Sequence, residues 1–427
     1  MEFIADLKSR GLVADCTHED ALRKRLDHGG LTVYCGFDPT ADSLHVGHLL
    51  ALRMLWRFQQ AGHTPIVLIG GATGFIGDPS GRRTDRVLLS ASDIDRNVEG
   101  LREQVIRLLP KAPGKPAAKL VDNREWFTGF EIIDFLREVG VHFPVNTLLN
   151  QDSVKLRRES TRDEEGLTFA ELAYSLLQAQ DFKVLRERHG CELQIGGSDQ
   201  WSNILGGLRL MQRHESGSGF GLTWPLLLKA NGEKFGKSGS ENVWLSPKRT
   251  SPFDFFQFWM NAPDNDIEML LLRFSELPER EARELLNKPA EARHAQRHLA
   301  KEMTTWVHGD EVCSMVQHVS GMLFDRNAPF FGKIGDIDKA TIDWLSKMIP
   351  THAVSLTEAS DQAGLMQLIG LSTSRGEAKR LLESGGFVAD GIIRITPEVK
   401  LEQRLREKGW LVLTRGKRTH HLVRLKR

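Results

Sequence analysis

The sequence predicts an α/β fold: a doubly wound parallel sheet comes first, then an α-helical domain and a small α+β unit at the end of the chain. Three observations carry this. Short apolar runs bounded by glycine alternate with helical stretches over the first half. From about Ser251 helical periodicity takes over. Residues 403–427 then hold nine Lys/Arg against one acid, Glu407.

Leu31-Thr-Val-Tyr-Cys-Gly-Phe37 reads as a buried strand, followed by a Pro/Asp/Ser turn and an apolar helix to about Ala61. Gly62-His-Thr turns the chain into a second strand, Pro65–Gly70. Gly70-Gly-Ala-Thr-Gly-Phe-Ile-Gly-Asp-Pro-Ser-Gly81 is a long glycine-rich loop. A strand near Ala118–Val121, helices through Glu131–Val139 and Phe169–Gln180, the strand Leu193–Gly196 and a helix from about Ser198 continue the alternation. In parallel sheets of this kind ligands sit beyond the carboxyl ends of the strands. The motif-bearing loops all follow strands, so they are expected to converge there.

Asp254–Met260, Asp266–Arg273, Glu279–Leu286 and Glu291–Val307 read as helices, with no strand of consequence between Thr250 and Gly321. The last unit combines the helix Ser374–Ser384, the turn Gly385-Gly386 and short strands. The expected domains are 1–228 for the α/β domain, 229–250 for a lysine-bearing loop and connection, 251–326 for the helical domain, 327–350 for a linker with a short helix at Lys339–Lys347, and 351–427 for the final unit.

Composition narrows the class. No apolar run approaches the ~18 residues that span a bilayer. The start of the chain lacks the charged-then-apolar layout of a signal peptide. Cys16, Cys35, Cys191 and Cys313 are scattered with no C-x-x-C pair, which points to a reducing cytoplasm without disulfides or a zinc site. Outside the basic end, 48 bases face 55 acids. A basic end on a mildly acidic body suits a polyanion, or is simply a solvated tail.

Two motifs about 190 residues apart carry the chemistry. In His45-Val-Gly-His48 the imidazoles fall at i and i+3 where a helix begins, so they share a face and can donate to phosphate or ribose oxygens. Gly47 lets a flat purine approach the backbone, and Thr40 adds a hydroxyl. Two helix-start histidines without a ligand is the plain alternative, and zinc lacks a third ligand nearby. Lys234-Phe-Gly-Lys237-Ser238 places two lysines on a glycine-containing loop. Such a loop is usually a solvated surface, yet it can close over a triphosphate and stabilise developing charge. Arg82, Arg83 and Arg86 follow the other glycine-rich loop and can approach from the opposite side.

Tyr34-Cys-Gly-Phe-Asp-Pro-Thr-Ala-Asp-Ser-Leu-His-Val-Gly-His48 resembles the signature segment of bacterial tyrosyl-tRNA synthetases, class I enzymes marked by H-x-G-H and K-x-x-K-S. Gly70–Gly81, Leu177-Gln-Ala-Gln-Asp-Phe182 and Gln194-Ile-Gly-Gly-Ser-Asp-Gln-Trp201 resemble that family too, over essentially the whole chain and in the same order. The resemblance implies a Rossmann-like catalytic domain, a helical anticodon-side domain and a C-terminal RNA-binding domain. It also implies ATP as substrate, Mg2+ with the triphosphate and no protein-held metal. L-tyrosine and tRNA(Tyr) are the implied partners, in a cytoplasmic homodimer.

The family's roles fall on matching residues. Tyr34 and Asp181 would hydrogen-bond the substrate phenol. Asp78, Tyr174 and Gln178 would hold its ammonium, with Gln200 near its carboxylate. Cys35, Gly197 and Asp199 would meet the ribose, with His48 also near the nucleotide. Gly36, Asp38, Gly47, Phe235, Gly236 and Ser238 complete the implied ATP site. Thr40, His45, Arg82, Arg86, Lys234 and Lys237 would surround the leaving pyrophosphate. Arg375, Lys379, Arg380, Arg415, Lys417 and Arg418 offer contacts to tRNA. Tyr34 and Tyr174 are the chain's two tyrosines, and both fall on substrate positions. Departures are mild: Ala51 stands where some relatives carry a polar residue, Arg82 and Arg83 where lysines also occur, and Phe235-Gly236 in place of Met-Ser.

The implied reaction is adenylation of tyrosine followed by transfer to a terminal ribose hydroxyl, with no enzyme nucleophile. Tryptophanyl-tRNA synthetase shares the motif types, but Tyr34, Asp181 and the C-terminal unit favour tyrosine. A small nucleotidyltransferase would leave the later domains unexplained. A non-catalytic relative would not need His45, His48, Lys234, Lys237 and Asp78 intact.

Overall fold

A computed structural model describes residues 2–78, 89–151, 154–155, 168–228, 235–238, 241–289, 293–324, 339–391, 393–416 and 419–426. The chain divides into two compact units, one of residues 1–246 and 262–299 and the other of residues 247–261 and 300–427.

The first unit is built on five parallel strands: β1 (Thr32–Phe37), β2 (Thr64–Ile69), β3 (Lys119–Asp122), β4 (Leu193–Gly197) and β5 (Phe220–Trp224), in the order β3-β2-β1-β4-β5. β1 is buried on both faces at Val33, Tyr34 and Cys35, as a central strand of a covered parallel sheet requires. The order in which strands are added reverses between β1 and β4, where Tyr34 pairs with Gln194, so a crevice opens at their carboxyl ends. The edge at β5 is covered by the N-terminal segment: Ala14 and Thr17 donate backbone N–H groups to Thr223 and Gly221.

The connecting helices follow the expected alternation. Val46–Gln60 crosses from β1 to β2, and Phe169–His189 leads into β4, running nine residues past the expected Gln180. Thr168 caps the latter helix, its hydroxyl accepting from Glu171 N–H while the Glu171 carboxylate reaches back. A short antiparallel pair, β6 (Lys237–Ser238) with β7 (Glu241–Asn242), follows β5. Asp264–Phe274 and Glu279–Leu286, expected in a separate helical domain, belong to this first unit.

The second unit contains the helices Pro252–Met260, Asp310–Phe324 and Lys339–Met348 and a mixed sheet. Its strands are β8 (Thr351–Val354), β9 (Phe387–Ala389), β10 (Ile393–Arg394), β11 (Trp410–Arg415) and β12 (Thr419–Leu425), in the order β10-β9-β11-β12-β8. β8 runs parallel to β12 and the other pairs are antiparallel. Leu365, Met366, Leu382, Phe387, Leu411, Leu413 and Val423 form its core. The helix Arg375–Glu383 starts at Ser374, whose side chain accepts from Glu377 N–H.

Candidate active site

The crevice at the switch point is a cleft of about 690 Å³ within the first unit. Tyr34, Cys35, Gly36, Asp38, Thr40, His45, Gly47 and His48 line it from β1 and the following turn, together with Asp78 from the β2 loop. Tyr174, Gln178 and Asp181 line it from the helix Phe169–His189. Gly197, Asp199, Gln200 and Phe235 close the other side.

Two of the lining residues, Tyr34 and Asp181, are buried. Tyr34 is 1% exposed, packs against Phe182 at 5.2 Å between ring centroids, and its hydroxyl makes no hydrogen bond. Asp181 is buried beside it. Trp126 Nε1 donates to Asp181 Oδ1 at 2.9 Å and Asn123 Nδ2 to Oδ2 at 3.3 Å. Burial pushes the Asp181 carboxyl well above the usual range, while these two donors pull it back. Burial and the Asp181 charge push the Tyr34 phenol up.

Higher in the cleft is an acidic corner. Tyr174 Oη donates to Asp38 Oδ2 at 2.9 Å and Thr73 Oγ1 to Asp38 Oδ1 at 2.9 Å. Gln200 Nε2 donates to Asp78 Oδ2 at 2.6 Å, Gln178 Nε2 to Gln200 Oε1 at 3.1 Å, and Asn203 Nδ2 to Gln178 Oε1 at 2.9 Å. Burial, then Asp38 and Asp78, raise the Tyr174 phenol well above its ordinary value. Two carboxylates under such a lattice of amides make a site for a cation. Asp38, expected with the nucleotide, stands on this side, bonded to Tyr174 and Thr73. Gly70 is dictated by it, because a Cβ there would collide with the Asp38 carboxylate.

The two motifs meet. His45 caps the helix Val46–Gln60: its Nδ1 accepts from Gly47 N–H at 3.1 Å, and His48 Nδ1 accepts from His45 N–H at 3.1 Å. The rings stack at 3.9 Å, so the expected shared face is present. With each Nδ1 accepting, a neutral imidazole carries its proton on Nε2. The segment after Gly236 pairs with the motif's backbone, Val46 donating to Val243 O at 2.8 Å and Leu245 to Leu44 O at 2.8 Å. Gly236 itself, at φ 101°, packs on Gly47, and a Cβ on it would lie 3.1 Å from Gly47 N. The space over Gly47, expected to admit a purine, is bounded here by the His45 ring and the Gly236 backbone.

Lys237 and Ser238 lie on β6. Arg82, Arg83, Arg86 and Lys234, like Lys417 and Arg418, fall outside the described residues. In the second unit Lys379 and Arg380 are exposed. Arg375 pairs with Asp361 at 2.6 Å. Arg415 donates to Leu371 O at 2.9 Å and pairs with Glu377 at 2.7 Å. The Thr373 N–H and hydroxyl, then Arg415, hold Glu377 down at about 2. Asn123, Trp126, Thr73 and Asn203 escaped the sequence reading. Asn123 and Trp126 follow the carboxyl end of β3, and that position alone pointed to them.

Buried Tyr34 and Asp181, an acidic corner and the converged histidine and glycine segments share one crevice. The family described as tRNA synthetases class I (W and Y) matches residues 26–325. The tyrosine–tRNA ligase of Geobacillus kaustophilus is 41% identical over 99% of this chain and 100% of that protein. The chain belongs to the tyrosine–tRNA ligase family of class I tRNA synthetases. It is therefore an ATP-using aminoacyl-tRNA ligase. The Anaeromyxobacter dehalogenans tyrosine–tRNA ligase is 43% identical, covering 98% of each chain. A C-terminally truncated mitochondrial tyrosyl-tRNA synthetase from Aspergillus nidulans superposes with a TM-score of 0.67 at 29% identity, over 76% of this chain and 94% of that one.

Proposed function

We propose that this chain activates L-tyrosine with ATP to tyrosyl-adenylate and pyrophosphate, then transfers the tyrosyl group to the 3′-terminal adenosine of tRNA(Tyr). The observation that carries the tyrosine assignment is the buried, unpartnered Tyr34 hydroxyl beside Asp181. A buried hydroxyl without a partner is costly, and a substrate phenol between the two groups removes that cost. Asp181, fixed by Trp126 and Asn123, accepts the substrate O–H, and Tyr34 donates to its oxygen. Tryptophan and phenylalanine lack that oxygen.

The substrate ammonium sits in the corner of Asp78, Tyr174 and Gln178, with Asp38 strengthening its negative charge and Gln200 turned toward the carboxylate. That carboxylate attacks the α-phosphorus of ATP, and the bond to pyrophosphate breaks. The nucleotide lies along Cys35, Gly36, Gly47, His48, Gly197 and Asp199. Thr40, His45, Lys234 and Lys237, with Arg82 and Arg86, meet the charge developing on pyrophosphate. Phe235, Gly236 and Ser238 shape the loop that carries the lysines. Mg2+ enters with the triphosphate, whose oxygens hold it. Catalysis is positioning and charge stabilisation, with no covalent enzyme intermediate.

The tRNA is held by cations of the second unit, Arg375, Lys379 and Arg380 with Lys417 and Arg418 nearby in sequence. A homodimer is supported by exposed apolar side chains: Ile132, Ile133, Leu136, Val141, Val145 and Phe169 are exposed in the first unit. We place the protein in the cytoplasm, consistent with four free cysteines. No helix among the described residues is long and apolar enough to cross a membrane. ATP–pyrophosphate exchange tests the assignment. Exchange is expected with tyrosine and not with tryptophan or phenylalanine at equal concentration; exchange driven equally by either would overturn it.

A further inference from the structure

We propose that Phe274 and Arg57 are positioning residues for adenylate formation. The corner Phe274–Glu276, which ends the helix Asp264–Phe274, sets the spacing between the histidine-bearing helix and the Phe235-Gly236 segment. The inference rests on the adenylation reading above.

Five contacts make the case. The Phe235 ring lies 6.0 Å from that of fully buried Phe274, with the planes at 38°. Arg57 Nη2 donates to Ser275 O at 2.6 Å. Arg53 Nη1 pairs with Glu276 Oε1 at 2.6 Å, and the Arg53 side chain is 0% exposed. From the N-terminal segment, Arg10 donates to Leu272 O at 3.2 Å and to Leu277 O at 2.8 Å. The last carbonyls of a helix lack internal partners and carry the negative end of its dipole, so guanidinium groups are the natural caps here.

These contacts close a circuit. From Phe274 one path runs through Phe235 to Gly236 and on to Gly47, against which Gly236 packs. From Gly47 the helix Val46–Gln60 runs to Arg53 and Arg57, which return to Glu276 and Ser275. A helix is stiff along its axis, so pinning its third and fourth turns fixes its start, where the cap His45 and His48 sit. Neither Phe274 nor Arg57 lines the cleft, so their effect passes through the two motifs. Interfaces packed this closely shift as units, and a small displacement at the corner moves the motifs apart.

The test is a double-mutant cycle on Phe235→Leu and Phe274→Leu, read by tyrosine-dependent pyrophosphate exchange and by tyrosine binding. Each single change is expected to lower kcat about tenfold, with the double variant no worse than the poorer single, because coupled neighbours do not add. Tyrosine affinity stays within about twofold, because the effect lies in the transition state. Losses that multiply, an unchanged kcat, or a parallel fall in tyrosine affinity would overturn the proposal. Glu276→Gln, at a half-exposed side chain, decides the matter if Phe274→Leu does not fold: a several-fold lower kcat at unchanged tyrosine affinity supports the corner, and an unchanged kcat rejects it. Lys234→Ala separates the two readings. If it abolishes exchange while the corner variants do nothing, only the corner fails; if it too does nothing, the adenylation reading of the loop fails.

Discussion

The Trp126 indole donates to Asp181 Oδ1 at 2.9 Å, within the same buried pocket as the unpartnered hydroxyl of Tyr34. Two donors, from Trp126 and Asn123, are thus committed to the carboxylate, and the Tyr34 hydroxyl is left for a ligand. This division of labour explains how a buried acid can stay an acceptor for a phenol.

Trp126→Phe keeps the ring and deletes the donor. The Asp181 carboxyl then rises further, and its acceptor form becomes scarcer. We expect kcat/KM for tyrosine in exchange to fall about tenfold, the worth of one hydrogen bond to a charged acceptor. Steady-state exchange at several tyrosine concentrations measures it.

Tyr34→Phe separates stability from specificity. The hydroxyl has no partner among the described residues, so its removal is expected to raise folding stability by up to about 1 kcal/mol. The tyrosine preference over phenylalanine is expected to drop about tenfold, since one substrate hydrogen bond is lost. Thermal melting and competitive exchange report the two effects.

Gly236→Ala attacks the junction of the two motifs. A positive φ of 101° strains any other residue, and the new Cβ would press on Gly47 N at 3.1 Å. The strain is of order 1–2 kcal/mol. The expected result is about a tenfold slower exchange with tyrosine binding intact, because the pocket for the amino acid lies elsewhere in the cleft.

His352 and His421 make a pH-dependent clasp between β8 and β12. His352 Nε2 and His421 Nδ1 are 3.0 Å apart with the rings 3° from parallel, an arrangement that two imidazolium ions cannot keep. Burial lowers His352, and burial with the His352 charge lowers His421. Folded values below the unfolded one of about 6.5 mean that their stabilisation is complete above that pH and is lost as pH falls through the folded values. The melting temperature of the second unit is expected to drop between pH 7 and pH 5, and less so in His352→Gln.

Much of this was legible in the sequence. The apolar runs at Leu31–Phe37 and Pro65–Gly70 could only be buried strands, and the loops after them carried the motifs. Tyr34, Asp181 and the histidine pair stood in recognisable segments. The supporting groups were not legible, for a physical reason. Asn123 and Trp126 follow a four-residue strand, and their role exists only because the helix Phe169–His189 brings Asp181 to them. The bond from Tyr174 to Asp38, 136 residues apart, depends on how the helix Phe169–His189 packs. Arg415 belonged to a basic run, but Glu377 on a neighbouring helix claims its charge. Partner identity over long separations is a property of the packing, and periodicity does not encode it.

The central claim is that Asp181 and Tyr34 select tyrosine for adenylation. The most direct test is the ratio of kcat/KM for tyrosine to that for phenylalanine in pyrophosphate exchange, in the unmodified chain and in Asp181→Ala. A sharp loss of tyrosine activity and a collapse of the ratio are expected. A variant that loses activity with both amino acids equally, leaving the ratio unchanged, would contradict it.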